Sequence, residues 1–584
     1  MGCSKTRLLA ECCSVSRTRW LVLFAVLGAT LPLSSCFLIR GTPEAVAPLG
    51  RRDFEVHDSP HRVGLIDSGW RALALRIHLI RSAEHSIDLQ TFIWTEDEVG
   101  KLVAHELIEA ARRGVRVRLI GDGLHTRLSR EFAAHLATAA PGLELRLYNP
   151  RNERIAASWD QLLVDGLLEF EGRNQRAHDK VMCVDGNWAL LGGRNLENTY
   201  YDYAVGMNFQ DREVLVEGDV VGDVIQSFER FWDYELTIPA VHLRDVEHVL
   251  ENGSYARPES PAALGIDGIL AEVDATLLEL STIEKLLCTE LLEVNAVAFC
   301  CDPPGKLDGF EEGDGGVRPN HVSRALAGLI RNAEQSVLVQ TPYFVLTDGA
   351  LEMLEDLREE HPEIEFRAST NSLASIDIFP AQAVIYRQKR FVIDRLGVLL
   401  YEFKANPEDM TTYIERHAEL VSRTQCEPRL CLHSKSVVID GELSGVGSHN
   451  LGPRSAETNT EVMLLVWDRE FAERLTHSIE RDIHPRNSWV VCRREQVLVL
   501  GYIQRLLEEM SSAVGALAGL DVWPSFYASS YELREGAEPV APGHPDFYKN
   551  YRAVGMFPGV SNFDERLWMT RVMKAGGSWA DPLL

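Results

Sequence analysis

The stretch HDKVMCVDGNWALLGGRN, residues 178–195, recurs later in the chain as HSKSVVIDGELSGVGSHN, residues 433–450. Both copies read His-x-Lys-x4-Asp, continue to Gly-Gly or Gly-Ser, and end on an Asn seventeen residues after the His. A single His-x-Lys is usually no more than a solvated pair on a strand. Two copies that agree at His, Lys, Asp, Gly and Asn, 255 residues apart, indicate a duplicated functional unit.

The residue types of the repeated motif suit displacement at a phosphodiester. Such a reaction needs a nucleophile, an acid for the departing alcohol and positive charge around the non-bridging oxygens. His178 and His433 can supply the first two roles, because one imidazole can attack phosphorus while the other moves the proton. The positive charge and the neutral hydrogen-bond donors would come from the remaining motif residues, Lys180, Lys435, Asn195 and Asn450.

The repeat extends upstream and downstream of the motif. Ser82–Thr91 (SAEHSIDLQT) recurs as Asn332–Thr341 (NAEQSVLVQT), and each copy ends an apolar-periodic helix and opens a strand. A second helix and strand follow in each copy, HELIEAARRGVRVRLIGDG and LEMLEDLREEHPEIEFRAST. Strands that alternate with helices of this length predict an α/β fold with a central mixed sheet in each half. One motif cannot complete a site, so we expect the two halves to face each other across a pseudo-twofold axis and share one active site.

Composition and repeat boundaries divide the chain into five segments. The turn-rich stretches PESPAA and FEEGDGG lie between the halves, and aromatic residues are frequent after the second half. The aromatic content predicts that this tail packs on the body, but it indicates no function. The predicted segments are a signal peptide at 1–35, a first half at 60–240, a connection at 241–320, a second half at 321–490 and a C-terminal extension at 491–584.

The formal net charge of −27 argues against a nucleic-acid partner, which usually requires a basic surface. It leaves an anionic phospholipid open as a substrate, because only the pocket must be positive. No His, Asp or Glu cluster with metal-ligand spacing lies near either motif in the sequence, so we expect no metal and no other cofactor. The sequence indicates no obligate protein partner.

The N-terminus predicts export and attachment to a membrane. Arg17 and Arg19 precede the apolar run 21–31, which is too short to span a bilayer comfortably. The run leads to Leu-Ser-Ser-Cys36, which resembles the bacterial lipobox, whose Cys is diacylated. The alternatives are a plain signal peptide or an uncleaved anchor, and the opening Met-Gly-Cys-Ser-Lys-Thr also fits N-myristoylation. We expect a lipid on Cys36 in a Gram-negative bacterium, with the protein facing the periplasm. An Asp directly after the Cys would mark retention in the inner membrane. Phe37 occupies that position, so the outer membrane is preferred.

The doubled motif resembles the phospholipase D superfamily, and residues 60–490 resemble its cardiolipin synthase branch, particularly the proteobacterial C-type members and their lipoprotein-like relatives. The resemblance implies a duplicated phospholipase D fold and a phosphohistidine intermediate. One departure concerns Gln382, which lies near the place where the family usually carries a His. The stretches that carry the resemblance are Ile87–Trp94, Arg146–Pro150, Arg173–Lys180, Gly192–Asn195, Cys301–Lys306, Gln340–Val345, Thr370–Ala374, Gly452–Ser455 and Asn459–Glu461.

The resemblance also implies roles for the motif residues. By analogy with relatives, His178 is the nucleophile, and His433 is the acid and base. The resemblance also implies that Asp185 and Asp440 shape the site rather than react. Each precedes a Gly, which is typical of a turn between two strands.

A downstream acid in this superfamily hydrogen-bonds the catalytic His on its other nitrogen. Glu461 after Asn450 is the better match to that acid, and Glu213 after Asn195 is its weaker counterpart. Surface acids that end a strand would have the same appearance in the sequence.

An enzyme that acts on phospholipid is the leading interpretation, and the acceptor decides its product. Transfer to the headgroup alcohol of phosphatidylglycerol would give cardiolipin, whereas transfer to water would give phosphatidic acid, as in a phospholipase D. A nuclease of the same superfamily is disfavoured by the charge and the anchor. A lipoprotein that binds lipid without turnover is disfavoured by the intact His, Lys and Asp in both halves.

Overall fold

The computed structural model describes residues 46–155, 175–306, 321–495 and 527–575, apart from positions 254, 259, 288, 562 and 563. The described residues all fall within Val46–Leu584, which clusters as one unit. Cys36, the apolar run before it and the FEEGDGG turn lie outside the described residues.

The first half alternates strands and helices as its sequence pattern predicts. Its elements are β1 His61–Ile66, α1 Gly69–Ser82, β2 Ser86–Thr91, β3 Trp94–Thr95, α2 Glu98–Arg112, β4 Arg116–Asp122, β5 Thr126–Arg127, α3 Arg130–Thr138, β6 Leu143–Tyr148, β7 Arg176–Ala177, β8 Val181–Val184, β9 Trp188–Gly192, β10 Met207–Gln210, β11 Glu213–Glu217, α4 Val221–Trp232 and β12 Thr237–Pro239.

The connection between the halves is mostly helical and ends in two strands. Its elements are α5 Arg244–Asn252, α6 Pro261–Leu264, α7 Asp267–Glu279, α8 Ile283–Leu287, β13 Leu292–Val294 and β14 Val297–Cys301.

The second half repeats the first, and the tail adds further strands. The elements of the second half are α9 His321–Arg331, β15 Ser336–Gln340, α10 Asp348–Glu360, β16 Glu365–Asn371, α11 Phe379–Asp394, β17 Leu399–Phe403, α12 Met410–Tyr413, α13 His417–Thr424, β18 Arg429–Leu432, β19 Ser436–Ile439, β20 Leu443–Gly447, α14 Pro453–Glu457, β21 Asn459–Thr460, β22 Val462–Trp467, α15 Arg469–Ile483 and β23 Ser488–Arg493. Those of the tail are β24 Ala528–Leu533, α16 Phe547–Asn550, β25 Tyr551–Gly555 and α17 Glu565–Ala575.

Two large mixed sheets carry the duplication. Among the described residues, the first sheet runs β12-β6-β4-β2-β8-β9-β11-β1-β13, and the second runs β14-β22-β20-β19-β15-β16-β17-β23-β24-β25. Read from β23 to β14, the second sheet repeats the order of β12 to β1 strand for strand. The pairing directions agree as well, since β2–β4 and β15–β16 are parallel while β2–β8 and β15–β19 are antiparallel. The predicted duplicated α/β fold is therefore confirmed.

The strand order places the start of the second half earlier in the sequence than the predicted boundary at residue 321. β14 occupies the place in the second sheet that β1 occupies in the first, so the structural repeat begins at Val297. The sequence analysis put this strand in the connection, because a five-residue strand without a neighbouring helix gives no periodic signal of its own.

Local sequence chemistry fixes where the crossover helices begin. The Asp97 carboxylate accepts a hydrogen bond from the backbone N–H of Gly100 at the start of α2. The Thr347 hydroxyl does the same for Ala350 at the start of α10. Such N-caps satisfy an amide that has no partner inside the helix. Each helix then crosses over its sheet and allows the next strand to join in parallel.

The two halves share an apolar core. Val214 and Val216 of β11 pack in one buried cluster with Leu338 of β15, Val446 of β20 and Leu464 of β22. A shared core of this kind holds the two sheets in a fixed relation, which a site assembled from both halves requires.

The tail packs on the second half, as its aromatic content predicts. β24 and β25 extend the second sheet beyond β23, and Leu567 of α17 joins a buried cluster with Tyr343 and Val384. Within the described residues, no helix combines the length and apolar character that crossing a bilayer would need.

Candidate active site

Short parallel strand pairs that cross between the halves place the two motif histidines. β7 of the first half pairs with β21 of the second, and β10 of the first half pairs with β18 of the second. His178 follows β7 directly, and its backbone N–H donates to the Thr460 carbonyl at 3.2 Å. His433 follows β18 directly, and its N–H donates to the Gln210 carbonyl at 2.7 Å. Each histidine is therefore anchored by the backbone of the opposite half.

The same strand pairs bring an acid of one half to the histidine of the other. Glu461 follows β21, and its Oε2 lies 2.9 Å from His178 Nδ1. Asp211 follows β10, and its Oδ2 lies 2.6 Å from His433 Nδ1. All four side chains are buried. Each carboxylate orients its imidazole and leaves Nε2 for chemistry, which is the arrangement that nucleophilic and general acid–base catalysis need.

The placement of Glu213 corrects the sequence analysis. Its carboxylate receives Arg76 Nη1 at 2.8 Å and lies 3.5 Å from Arg194, so it forms a buried ion pair instead of contacting a motif histidine. The acid must come directly after the strand that crosses between the halves, and that strand ends at Gln210. The alignment of Gln210-Asp211 with Thr460-Glu461 was the available signal. The sequence analysis instead matched DRE, residues 211–213, to NTE, residues 459–461, which aligns Glu213 with Glu461.

The motif lysines are buried charges. Burial lowers the pKa of Lys180 to about 7 and that of Lys435 to about 8, although Glu461 and Asp211 respectively oppose the shift. Each ammonium group donates to the carbonyl of the histidine two residues before it. A bound phosphate would favour the protonated form of both lysines, and their remaining N–H bonds then form a site for the oxygens of a phosphoryl group.

Burial lowers the pKa of both motif histidines. Burial, together with the charges of Lys180 and Lys435, holds the pKa of His178 well below its ordinary value. The pKa of His433 is also lowered by burial and Lys435, but Asp211 works against the shift.

The two carboxyl groups shift in opposite directions. Burial raises the pKa of Glu461. Burial works in the same direction on Asp211, but the charges of His433 and Lys435 outweigh it and leave the pKa of Asp211 below its ordinary value. The carboxyl pKa values of the two dyads thus shift in opposite directions although the geometry of the dyads is alike.

The motif asparagines are not equivalent. Asn195 Oδ1 accepts from the Ile93 N–H at 3.0 Å, and Asn195 Nδ2 donates to the Tyr200 hydroxyl at 2.8 Å. Asn450 donates its backbone N–H to Ser455 Oγ at 3.2 Å, and its Oδ1 has no partner among the described residues. One amide N–H of Asn195 is therefore already bonded to Tyr200. The phosphate-binding role of both asparagines stays a prediction.

Aromatic rings that the sequence analysis did not single out pack against the histidines. The Phe92 ring lies 4.7 Å from that of His178, and the His125 ring lies 4.0 Å from Phe92. The Tyr200 and Phe209 rings lie 5.2 Å and 4.9 Å from that of His433. These contacts limit rotation of both imidazoles and exclude water from their faces.

Asp185 and Asp440 lie at turns and contact neither histidine. Asp185 accepts from the backbone N–H groups of residues 84–86, and Asp440 accepts from those of residues 334–336. Both acids have a left-handed backbone, with φ of 53° and 52°, and the Gly after each has φ of 70° and 65°. This placement agrees with the expected shaping role, because each acid ties its motif hairpin to the start of the neighbouring strand.

The family comparison matches the description "Cardiolipin synthase, PLD-like domain" twice, at residues 76–232 and 326–483. Cardiolipin synthase C of Escherichia coli is 30% identical over 417 residues, which is 71% of this chain and 83% of that protein. An uncharacterized protein of Helicobacter pylori is 27% identical over 504 residues, 82% of this chain and 92% of that protein. The crystal structure of phosphatidylserine synthase from Haemophilus influenzae covers 78% of this chain and 96% of its own, at 15% identity and a TM-score of 0.49.

Two halves that each contribute a His and a Lys to one buried site define an enzyme of the phospholipase D type. The two matched segments together cover more than half of the sequence. The chain belongs to the cardiolipin synthase family of phospholipase D-like proteins.

The geometry separates the roles of two neighbouring acids. We expect Asp211→Asn to lower kcat/KM at least about 100-fold with little change in thermal stability, because the amide cannot stabilise the His433 imidazolium. We expect Glu213→Gln to cost about 3–5 kcal/mol of stability, because it leaves Arg76 buried without its partner, while turnover per folded molecule stays near normal. Phospholipid turnover and thermal unfolding of both variants check this. Equal kinetic defects would contradict the assignment.

The turn acids give a second expectation. Asp440→Asn replaces one acceptor oxygen by an amide that faces backbone N–H groups, so we expect a loss of about 1–3 kcal/mol in stability. At temperatures where the variant stays folded, its KM should match that of the parent. Asp356→Asn on the exposed side of α10 is the matched control, with no expected change. Chemical denaturation measures the difference, and a lost turnover with unchanged stability would place Asp440 in the chemistry instead.

Proposed function

We propose that the enzyme transfers a phosphatidyl group to the headgroup alcohol of phosphatidylglycerol and so makes cardiolipin. The observation that carries the proposal is the pair of His–carboxylate dyads that cross between the halves, beside two buried lysines. The similarity to Escherichia coli cardiolipin synthase C supports the choice of reaction.

The first step is attack of His178 Nε2 on phosphorus. The new N–P bond forms as the bond from phosphorus to the headgroup oxygen breaks, and the proton of His433 passes to that oxygen. Lys180 and Lys435 hold the negative charge on the non-bridging oxygens. In the second step, His433 takes the proton of the incoming hydroxyl. That oxygen bonds to phosphorus, and His178 leaves.

The directions of the pKa shifts in the dyads support this order. The low pKa of His178 keeps it neutral, as a nucleophile must be. The pKa of His433 is lowered as well, but Asp211, whose own pKa lies below its ordinary value, opposes that shift and favours the protonated form of His433. The raised pKa of Glu461 weakens the corresponding support for a protonated His178.

Hydrolysis to phosphatidic acid is the second candidate, because water can replace the alcohol in the second step without any change in the residues. The strongly acidic chain disfavours a nuclease, and the preserved pair of dyads disfavours a lipid-binding protein without turnover. The absence of a metal requirement stays a prediction.

The two histidines should act as one unit. We expect His178→Ala and His433→Ala each to remove most turnover, and the double variant to be little worse than either, because residues of one mechanism are non-additive. A labelled phosphatidyl group should be trapped on His178 in the His433→Ala variant. Label on His433 in His178→Ala would reverse the order. Near-normal phospholipid turnover by either single variant would refute the mechanism.

We also propose that a lipid on Cys36 holds the enzyme on a membrane facing the periplasm, with the outer membrane preferred. A diacylated Cys supplies two acyl chains, and firm attachment requires more than one. Labelled palmitate should enter the parent protein but not Cys36→Ser, and the variant should move to the soluble periplasmic fraction. Cys426→Ser, which removes an exposed thiol, serves as the control. Equal labelling of parent and Cys36→Ser would rule out this anchor.

A further inference from the structure

Arg454, in the short helix α14, is a cation without a partner. Its guanidinium makes no hydrogen bond or ion pair within the described part of the chain, and its Nε is shielded from solvent. Burial lowers its pKa, although Asp122 and Glu461 oppose the shift. By contrast, the buried Arg212 donates to four partners, and the buried Arg76 pairs with a carboxylate. A half-buried charge left without a partner is costly unless an anion binds it.

Arg454 lies on the His178 side of the active site. The next residue, Ser455, donates its hydroxyl to Glu461, the acid that orients His178. On the other flank, His125 is close enough that the charge of Arg454 contributes, after burial, to lowering its pKa. The His125 ring packs on Phe92, whose ring packs on His178.

The two acids near Arg454 have other partners. Asp122 accepts from the N–H groups of Leu124 and Ala177 and lies 2.9 Å from His125 Nδ1. Glu461 contacts His178 and accepts from Ser448 and Ser455. Neither carboxylate lies within ion-pair distance of Arg454, so the guanidinium N–H groups remain available for a ligand.

The first half lacks this cation. Arg454 is the fourth residue after the motif asparagine of the second half, and the fourth residue after Asn195 is Thr199. The neighbouring positions both serve the site, since Ser455 binds Glu461 and Tyr200 packs on His433. The repeat therefore does not need an arginine here for its fold, and the extra charge makes a pseudo-symmetric site asymmetric.

We propose that Arg454 binds the phosphodiester of the acceptor phospholipid. It would form a second anion-binding subsite beside the one formed by the motif lysines. This inference rests on the proposed function, in which the acceptor is itself an anionic lipid. Three carbons separate the attacking hydroxyl of phosphatidylglycerol from its own phosphate, so the two groups can reach different sides of the site. Water and ethanol carry no such phosphate.

The test compares three acceptors in one assay. Full-length enzyme acts on labelled phosphatidylglycerol in mixed micelles, with and without ethanol, and cardiolipin, phosphatidic acid and phosphatidylethanol are measured. We expect Arg454→Gln to lower cardiolipin formation about tenfold or more, the loss of a charge-assisted hydrogen bond. Hydrolysis and transfer to ethanol should stay within about twofold of the parent. Arg454→Lys should recover part of the cardiolipin rate, and Arg469→Gln, at an exposed surface ion pair, should change none of the three.

Each other outcome overturns the subsite. An equal fall in all three products of Arg454→Gln, at unchanged thermal stability, would assign Arg454 to the common phosphohistidine step. Unchanged cardiolipin formation would show that the acceptor phosphate binds elsewhere, with the proposed function intact. A parent enzyme that makes phosphatidic acid but no cardiolipin would refute the proposed function itself, and the acceptor subsite with it.

Discussion

The hydrogen bonds between each motif histidine and a carboxylate of the opposite half are the constraint on which the site depends. Neither half can orient its own imidazole, since Glu461 serves His178 and Asp211 serves His433. Two-residue and four-residue parallel strand pairs between the halves set these contacts, and the shared apolar core keeps the strands in register. The active site therefore forms only when both halves are folded and joined.

Burial strengthens the electrostatic coupling within this arrangement. The motif lysines and histidines, together with the acids Glu461 and Asp211, lie out of water, where a charge interacts strongly with its neighbours and is expensive without them. The duplicated fold supplies two nearly identical dyads. Their different surroundings then shift the carboxyl pKa values in opposite directions, up for Glu461 and down for Asp211. A symmetric scaffold thus holds two dyads with different electrostatic surroundings, a difference that agrees with the different steps proposed for the two histidines.

The tail reinforces the second half. β14 belongs to the repeat and takes the place in the second sheet that β1 takes in the first, whereas β24 and β25 of the tail lie outside the repeat and widen that sheet. α17 packs on α11, with Leu567 in a buried cluster beside Tyr343. The aromatic tail is thus part of the folded body and packs on the second half.

The sequence by itself determined the fold class, the duplication, the two His-Lys pairs and the turn acids, because these depend on residue types at short and fixed spacings. The resemblance to the superfamily also indicated Glu461, as the acid that follows Asn450. Only the tertiary structure decided that Asp211 and not Glu213 is its counterpart, that each acid serves the opposite half, and that Arg454 has no partner among the described residues. Those features depend on which strands pair across the halves and on which charges are buried together, and contacts between residues over 200 positions apart leave no local pattern in the chain.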